Sequence, residues 1–162
     1  MRQQTESEIL HFAASYCSIT ERCVFDVRNK ILSAGASPEM AELIIKRLKK
    51  EKFIDESRYC RSFVKDKFRF NRWGRIKIGY ELRGKNITPE LISEAISQID
   101  EEEYESVLFD LLKDKKRTAK GRTEQDIFQK LYRFAVSRGF ESNLTVQQLK
   151  RLFNTNLDVD ID

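Results

Sequence analysis

Ten lysines and arginines lie between Arg58 and Lys85, opposed only by Asp66 and Glu81. That segment carries +8 in a chain whose total is +4, so the remainder is net acidic. Five of its cations, Arg58, Arg61, Lys65, Arg69 and Arg72, follow one another at intervals of three, four, four and three. At about 100° per residue this spacing gathers them into one stripe of a helix. No acid at i, i+4 relieves the stripe, and like charges so placed repel one another. Its chemistry is therefore that of anion binding, with phosphates or an acidic protein wall as the partner. Arg75 and Lys77 extend it, and Arg133 and Arg138 are later candidates for the same surface. Phe68 borders the stripe and is expected to touch a partner, whereas Tyr59, Cys60, Phe63, Val64 and Phe70 fall on the opposite, core side. Lys67 projects toward that apolar side and must snorkel.

Other chemistry is scarce. His11 is the sole histidine, which leaves no triad and no HExxH zinc site. Neither GxxxxGK[ST] nor GxGxxG appears. Cys17, Cys23 and Cys60 have neither CxxC spacing nor histidines beside them, and read as small buried apolar residues. Asp55 and Glu56 follow Ile54 at a helix start, where capping accounts for them better than acid–base work. The expectation is a non-enzyme with no metal and no cofactor.

The elements that position the stripe read as helices throughout. Met40, Leu43, Ile44 and Leu48, and again Leu91, Ala95, Ile96 and Ile99, each make one apolar face, and no comparable run alternates with period two. Ser37-Pro38-Glu39 and Thr88-Pro89-Glu90 each supply a hydroxyl cap, a proline at the first helical position and an acid in the first turn. Before them stand "ILSAGAS" from Ile31 and "LRGKNIT" from Leu82, and a third copy, "AVSRGFE", starts at Ala135. In each, Gly35, Asn86 or Gly139 can take the left-handed conformation that ends a helix, and the apolar Ala36, Ile87 or Phe140 then folds back. The recurrence predicts an all-α fold of three tandem three-helix units, residues 1–54, 55–99 and 100–153, forming an elongated, curved array.

Within those units helices are expected at 6–16, 19–34 and 38–51, at 56–70, 74–85 and 89–99, and at 101–114, 123–138 and 143–153. Ser18 and Glu21 are expected to form a capping box for the second. Lys115 to Arg122 becomes the longest basic loop. Trp73-Gly74 reads as a corner between two helices, with Ile78 and Leu82 as a core edge beyond it. Residues 154–162, with Asp158, Asp160 and Asp162, form an acidic and flexible tail. No window approaches the roughly 18 apolar residues of a membrane span, and the polar start MRQQTESE is unlike a signal peptide. A cytoplasmic monomer is the default expectation.

The stretches "EKFIDESRYCRSFVKDKF", "RWGRIKIGYELRGKNI" and "KLYRFAVSRGF" resemble the RecX regulatory proteins. The matching positions are Phe53, Ile54, Asp55, Glu56, Tyr59, Cys60, Trp73, Gly74, Ile78, Glu81, Leu82, Lys85 and Ile87. Asn86 stands where the family usually has glycine, Arg75 where proline is common, and the first unit matches only in its repeat logic. The resemblance implies a tandem array of three-helix units that binds RecA recombinase filaments in their groove and suppresses their ATPase, strand-exchange and coprotease activities. The rival reading is a helical protein that binds single- or double-stranded DNA directly, without RecA.

Overall fold

The computed structural model describes residues 4–154. Among them are nine helices and no strand: α1 (Glu6–Ile19), α2 (Val24–Ser33), α3 (Pro38–Lys50), α4 (Glu56–Arg69), α5 (Arg75–Gly84), α6 (Pro89–Ser97), α7 (Glu101–Lys116), α8 (Glu124–Ser137) and α9 (Ser142–Phe153). The all-α expectation holds. The helix ends follow the predicted chemistry closely. Ser37 accepts the Met40 N–H at 3.1 Å and Thr88 the Leu91 N–H at 3.4 Å, each with proline at the next position. Asp100 and Thr123 cap α7 and α8 in the same way.

The three repeated stops are one motif. Gly35, Asn86 and Gly139 have φ of 102°, 59° and 97°. In each case the following residue donates its N–H five residues back, Ala36 to Ile31, Ile87 to Leu82 and Phe140 to Ala135, at 3.1, 3.3 and 3.1 Å. Donor and acceptor residues are all buried, so every stop doubles as an apolar contact. A fourth copy, hidden by its lysine, ends α3: Lys52 has φ 63° and Phe53 donates to Leu48.

One start differs from expectation. α1 runs on to Ile19 and α2 begins only at Val24, capped by Cys23 without a side-chain bond. The Ser18–Glu21 capping box does not form, because the Ser18 hydroxyl donates to its own helix at the Ser15 carbonyl and Glu21 pairs with Arg58. The loop after α7 also opens later, since that helix continues to Lys116. The acidic stretch beyond Asn154 lies outside the described residues.

The chain forms two compact units, one of Met1–Phe63 with Leu82–Ala95 and one of Val64–Glu81 with Ile96–Asp162. α4, α5 and α6 each pass from one into the other. In the first, α1, α2 and α3 pack together around Ile9, Ala13, Val27, Ile31, Ile44 and Leu48, all at most 1% exposed. Lys85 reaches Asp26 at 2.6 Å on its rim. All three cysteines are buried and free, and burial pushes the Cys23 and Cys60 thiols up to about 11, so they stay protonated.

The second unit is built on α7, α8 and α9, with Leu108, Leu112, Phe128, Leu131, Phe140 and Leu149 fully buried. Tyr104 is the centre of its aromatic stack, 5.7 Å from the Phe68 ring and 5.2 Å from Phe140. α5 begins against the cap of α8. The Gly74 N–H donates to the Arg138 carbonyl at 2.8 Å and the Ile76 N–H to that of Gly139 at 3.0 Å. Free amides of one helix start thus meet free carbonyls of another helix end, which satisfies both sets. The approach requires glycine: a Cβ on Gly74 would lie 2.3 Å from the Gly139 backbone, and one on Gly139 2.4 Å from the Lys77 Cβ.

Gly84 offers the contrast, since a Cβ there meets nothing within 4 Å. Gly74→Ala should cost about 1–3 kcal/mol through overpacking, whereas Gly84→Ala should stabilise by up to about 1 kcal/mol by removing unfolded-state freedom. Urea unfolding of the two variants beside the parent measures both signs.

Candidate interaction surface

Four of the five cations, Arg58, Arg61, Lys65 and Arg69, lie on α4 at the expected spacing, Arg72 falls beyond the helix end, and most of the five are already paired. In the first unit, Arg58 donates from Nε to Glu21 at 2.6 Å and from Nη2 to the Lys52 carbonyl at 3.1 Å, closing the turn before its own helix. Arg61 is exposed and, among the described residues, bonds Ser57 at 2.7 Å. In the second unit, Lys65 is exposed with no ion pair among the described residues. Arg69 pairs with Glu103 at 3.4 Å, and Arg72 with Asp114 at 2.9 Å from a left-handed backbone of φ 52°.

Arg75 is the most committed. Its Nη2 meets Glu101 at 2.6 Å, its Nη1 meets Glu141 at 3.2 Å, and its guanidinium lies 3.8 Å over the Tyr104 ring. The Tyr104 hydroxyl accepts the Arg75 N–H at 3.0 Å and donates to Glu141. Burial, with the Glu141 bond behind it, holds that phenol above its ordinary value. Arg138, expected at a partner surface, instead donates to the backbone carbonyls of Asn71 and Arg72. It clamps the corner that Trp73 and Gly74 turn. Lys77 and Lys67 lie over the Trp73 indole, at 4.4 and 4.9 Å from its centroid. Arg133 is exposed and lines an open hollow beside Arg122 and Lys130.

Two aromatic placements are corrected. Phe68 is 3% exposed and stacks on Tyr104, so it is core and meets no partner. Phe70 is 82% exposed: it stands at the very end of α4, its N–H still bonded to the Asp66 carbonyl at 2.9 Å, and a place on the core side of the helix does not bury it there. The motif residues sit otherwise as expected: Ile54, Tyr59, Ile78 and Leu82 are buried, Trp73 half-buried, and Asn86 and Gly139 left-handed. Phe53 remains 38% exposed.

The spacing also carried a signal that the basic stripe obscured. Ile76 and Tyr80 are 55% and 68% exposed on α5, whereas Ile78 and Leu82 on the same helix are fully buried. Pairs at 76/80 and 78/82 lie about 200° apart around a helix, so one core cannot cover both. Among the described residues of the second unit, Phe70, Ile76, Tyr80 and the cation Lys65 are exposed, and Lys77 is half-buried against Trp73. No group of three or more His, Cys, Asp or Glu is placed to hold a metal among the described residues.

Asp55 shows how local this chemistry is. Its carboxylate accepts the Arg58 N–H at 3.0 Å, and that bond, helped by the Arg58 charge, holds its pKa below the usual range. A lowered folded-state pKa means that the cap stabilises above the unfolded value of about 3.9 and is lost as pH falls through the folded one. Asp55→Ala should therefore be about 0.5–2 kcal/mol less stable at neutral pH. The gap to the parent should narrow below about pH 4, as urea titrations at several pH values would measure.

Fold and surface define an all-helical protein whose exposed chemistry is cationic and aromatic. The family model for the second three-helix domain of RecX matches residues 55–96. A regulatory protein RecX of Clostridium beijerinckii is 32% identical over 136 residues, 82% of this chain and 62% of the relative. One of Clostridium botulinum strain Eklund 17B is 35% identical over 135 residues, 81% and 62% of the two chains. The chain therefore spans about three fifths of the length of these relatives. A crystal structure of RecX from Lactobacillus salivarius superposes with a TM-score of 0.80 at 17% identity, covering 93% of this chain and 97% of that one. Another RecX crystal structure gives 0.79 at 24% identity, covering 90% and 73%. The resemblance in the sequence thus extends over about four fifths of the chain to proteins named regulatory protein RecX, and the chain has the fold of the RecX crystal structures.

Proposed function

We propose that this chain is a regulator that binds RecA recombinase on its nucleoprotein filament and lowers its ATPase, strand-exchange and coprotease activities. The kinship with proteins named regulatory protein RecX supports the role. The observation that carries it is the exposed pair Ile76 and Tyr80 on α5, in the same unit as the exposed cation Lys65 and the half-buried Lys77. An interface to a folded protein needs an apolar, preferably aromatic, anchor inside a polar rim, and this surface supplies both. A surface for bare phosphate needs only the charge. The paired arginines of α4 and α5 hold this surface in shape, and Lys65 and Lys77 make the contact with acidic filament walls. The contribution of Lys65 should weaken with salt.

Hydrolysis of ATP by RecA on single-stranded DNA, followed while this protein is titrated in, tests the reading. The parent chain should inhibit, and Ile76→Ser with Tyr80→Ser should raise the half-inhibitory concentration by about tenfold or more. Lys65→Glu should give a smaller loss that grows at low salt. Unchanged hydrolysis at saturating parent protein would remove the regulator reading altogether.

A further inference from the structure

We propose a second binding site, in the second unit at the loop between α7 and α8, that takes the phosphodiester backbone of a single-stranded nucleic acid. Residues 113–133 hold eight lysines and arginines against Asp114, Glu124 and Asp126. Two of the three acids are engaged locally. Asp114 pairs with Arg72 and Arg117, both at 2.9 Å. Asp126 accepts the Arg122 N–H at 3.2 Å while Thr123 caps its own N–H. The cations are left in excess.

The loop is shaped as well as charged. Gly121 lies so close to the first turn of α8 that a Cβ there would come within 2.9 Å of the Asp126 Cβ and 3.1 Å of Ile127. Lys130 donates across the loop to the Lys120 carbonyl. Folded down in this way, the loop leaves an open hollow of about 380 Å³ lined by Gly121, Arg122, Asp126, Gln129, Lys130 and Arg133. Two guanidiniums there can each fork a phosphate, and the ammonium adds a point charge.

What the region lacks identifies its occupant. None of the large exposed apolar side chains falls between residues 113 and 133. A protein partner would find within this stretch no anchor, the nearest on α8 being Val136 one turn beyond Arg133, whereas a phosphate backbone requires none. A single strand can bend into a concavity of this size, while a duplex is stiff over about 150 base pairs. The site is separate from the α5 face, and binding there gains affinity by releasing counterions and does not read bases.

The test uses the full chain and a fluorescein-labelled oligothymidylate without recombinase, so its outcome is independent of the regulator reading. Anisotropy titrations across a range of salt should show binding to the parent. Arg122→Ala, Lys130→Ala and Arg133→Ala combined should make the slope of log K against log salt shallower by about 2, at about 0.7 per lost phosphate contact on a single strand. Arg122→Lys with Arg133→Lys, which keeps the charge, should keep that slope, and circular dichroism melts establish that both variants are folded. An unchanged slope and affinity in the triple alanine variant overturns the site. So does polyglutamate that displaces the oligonucleotide at equal charge concentration, because it would assign the hollow to acidic protein segments.

Discussion

The second unit depends on one junction, where the start of α5 is set against the end of α8. Two backbone hydrogen bonds, Gly74 to Arg138 and Ile76 to Gly139, join the free donors of one helix to the free acceptors of the other. Each bond is worth only about 1 kcal/mol net. The larger constraint is that leaving these groups buried and unpaired would cost more than making the bonds returns. Everything nearby serves that contact. Glycine on both sides permits it, Arg138 closes over the preceding corner, and Tyr104 accepts the Arg75 amide that follows.

The junction explains why the basic segment is less available than its charge suggests. Arg75 emerges from it into a cage of Glu101, Glu141 and Tyr104, and Arg69 and Arg72 find Glu103 and Asp114 on α7. The acidic run at the start of α7 is thus, in part, the anionic partner of the basic run on α4 and α5. The acidic run also suits its helix, since acids favour an N-terminus. Half-exposed pairs of this kind add little stability singly. They do fix side-chain positions, and so decide which cations are left without an acidic partner: Lys65 and Lys77, the latter over Trp73, in one element pair, and Arg122, Arg133 and Lys130, the last bonded to the Lys120 carbonyl, in another.

How much of this could be read beforehand varies with the range of the interaction. The cap of α3 at Ser37-Pro38, the Asp55 cap of α4 and the left-handed stops at Gly35, Asn86 and Gly139 were legible, because each involves residues within about five positions of one another. The stop at Lys52 was not, since lysine gives no sign of a left-handed backbone. The Ser18–Glu21 box had the right local signature and still failed. A carboxylate drawn to Arg58, 37 residues away, cannot also cap a neighbouring helix.

Fold class, helix order and the periodic stripe on α4 were determined by the sequence alone, because helices close their hydrogen bonds locally and sort side chains by angle. The resemblance to RecX proteins was legible there too, in the order of Phe53, Trp73, Gly74 and Glu81 along the chain. Which charges are spent and which remain was decided only by the tertiary structure. Arg75 and Lys65 are both cations on helices of the same unit, yet one is enclosed by two carboxylates and a phenol ring while the other is exposed without an ion pair among the described residues. Ion pairing and burial depend on neighbours brought together across dozens of residues, and no local spacing specifies them.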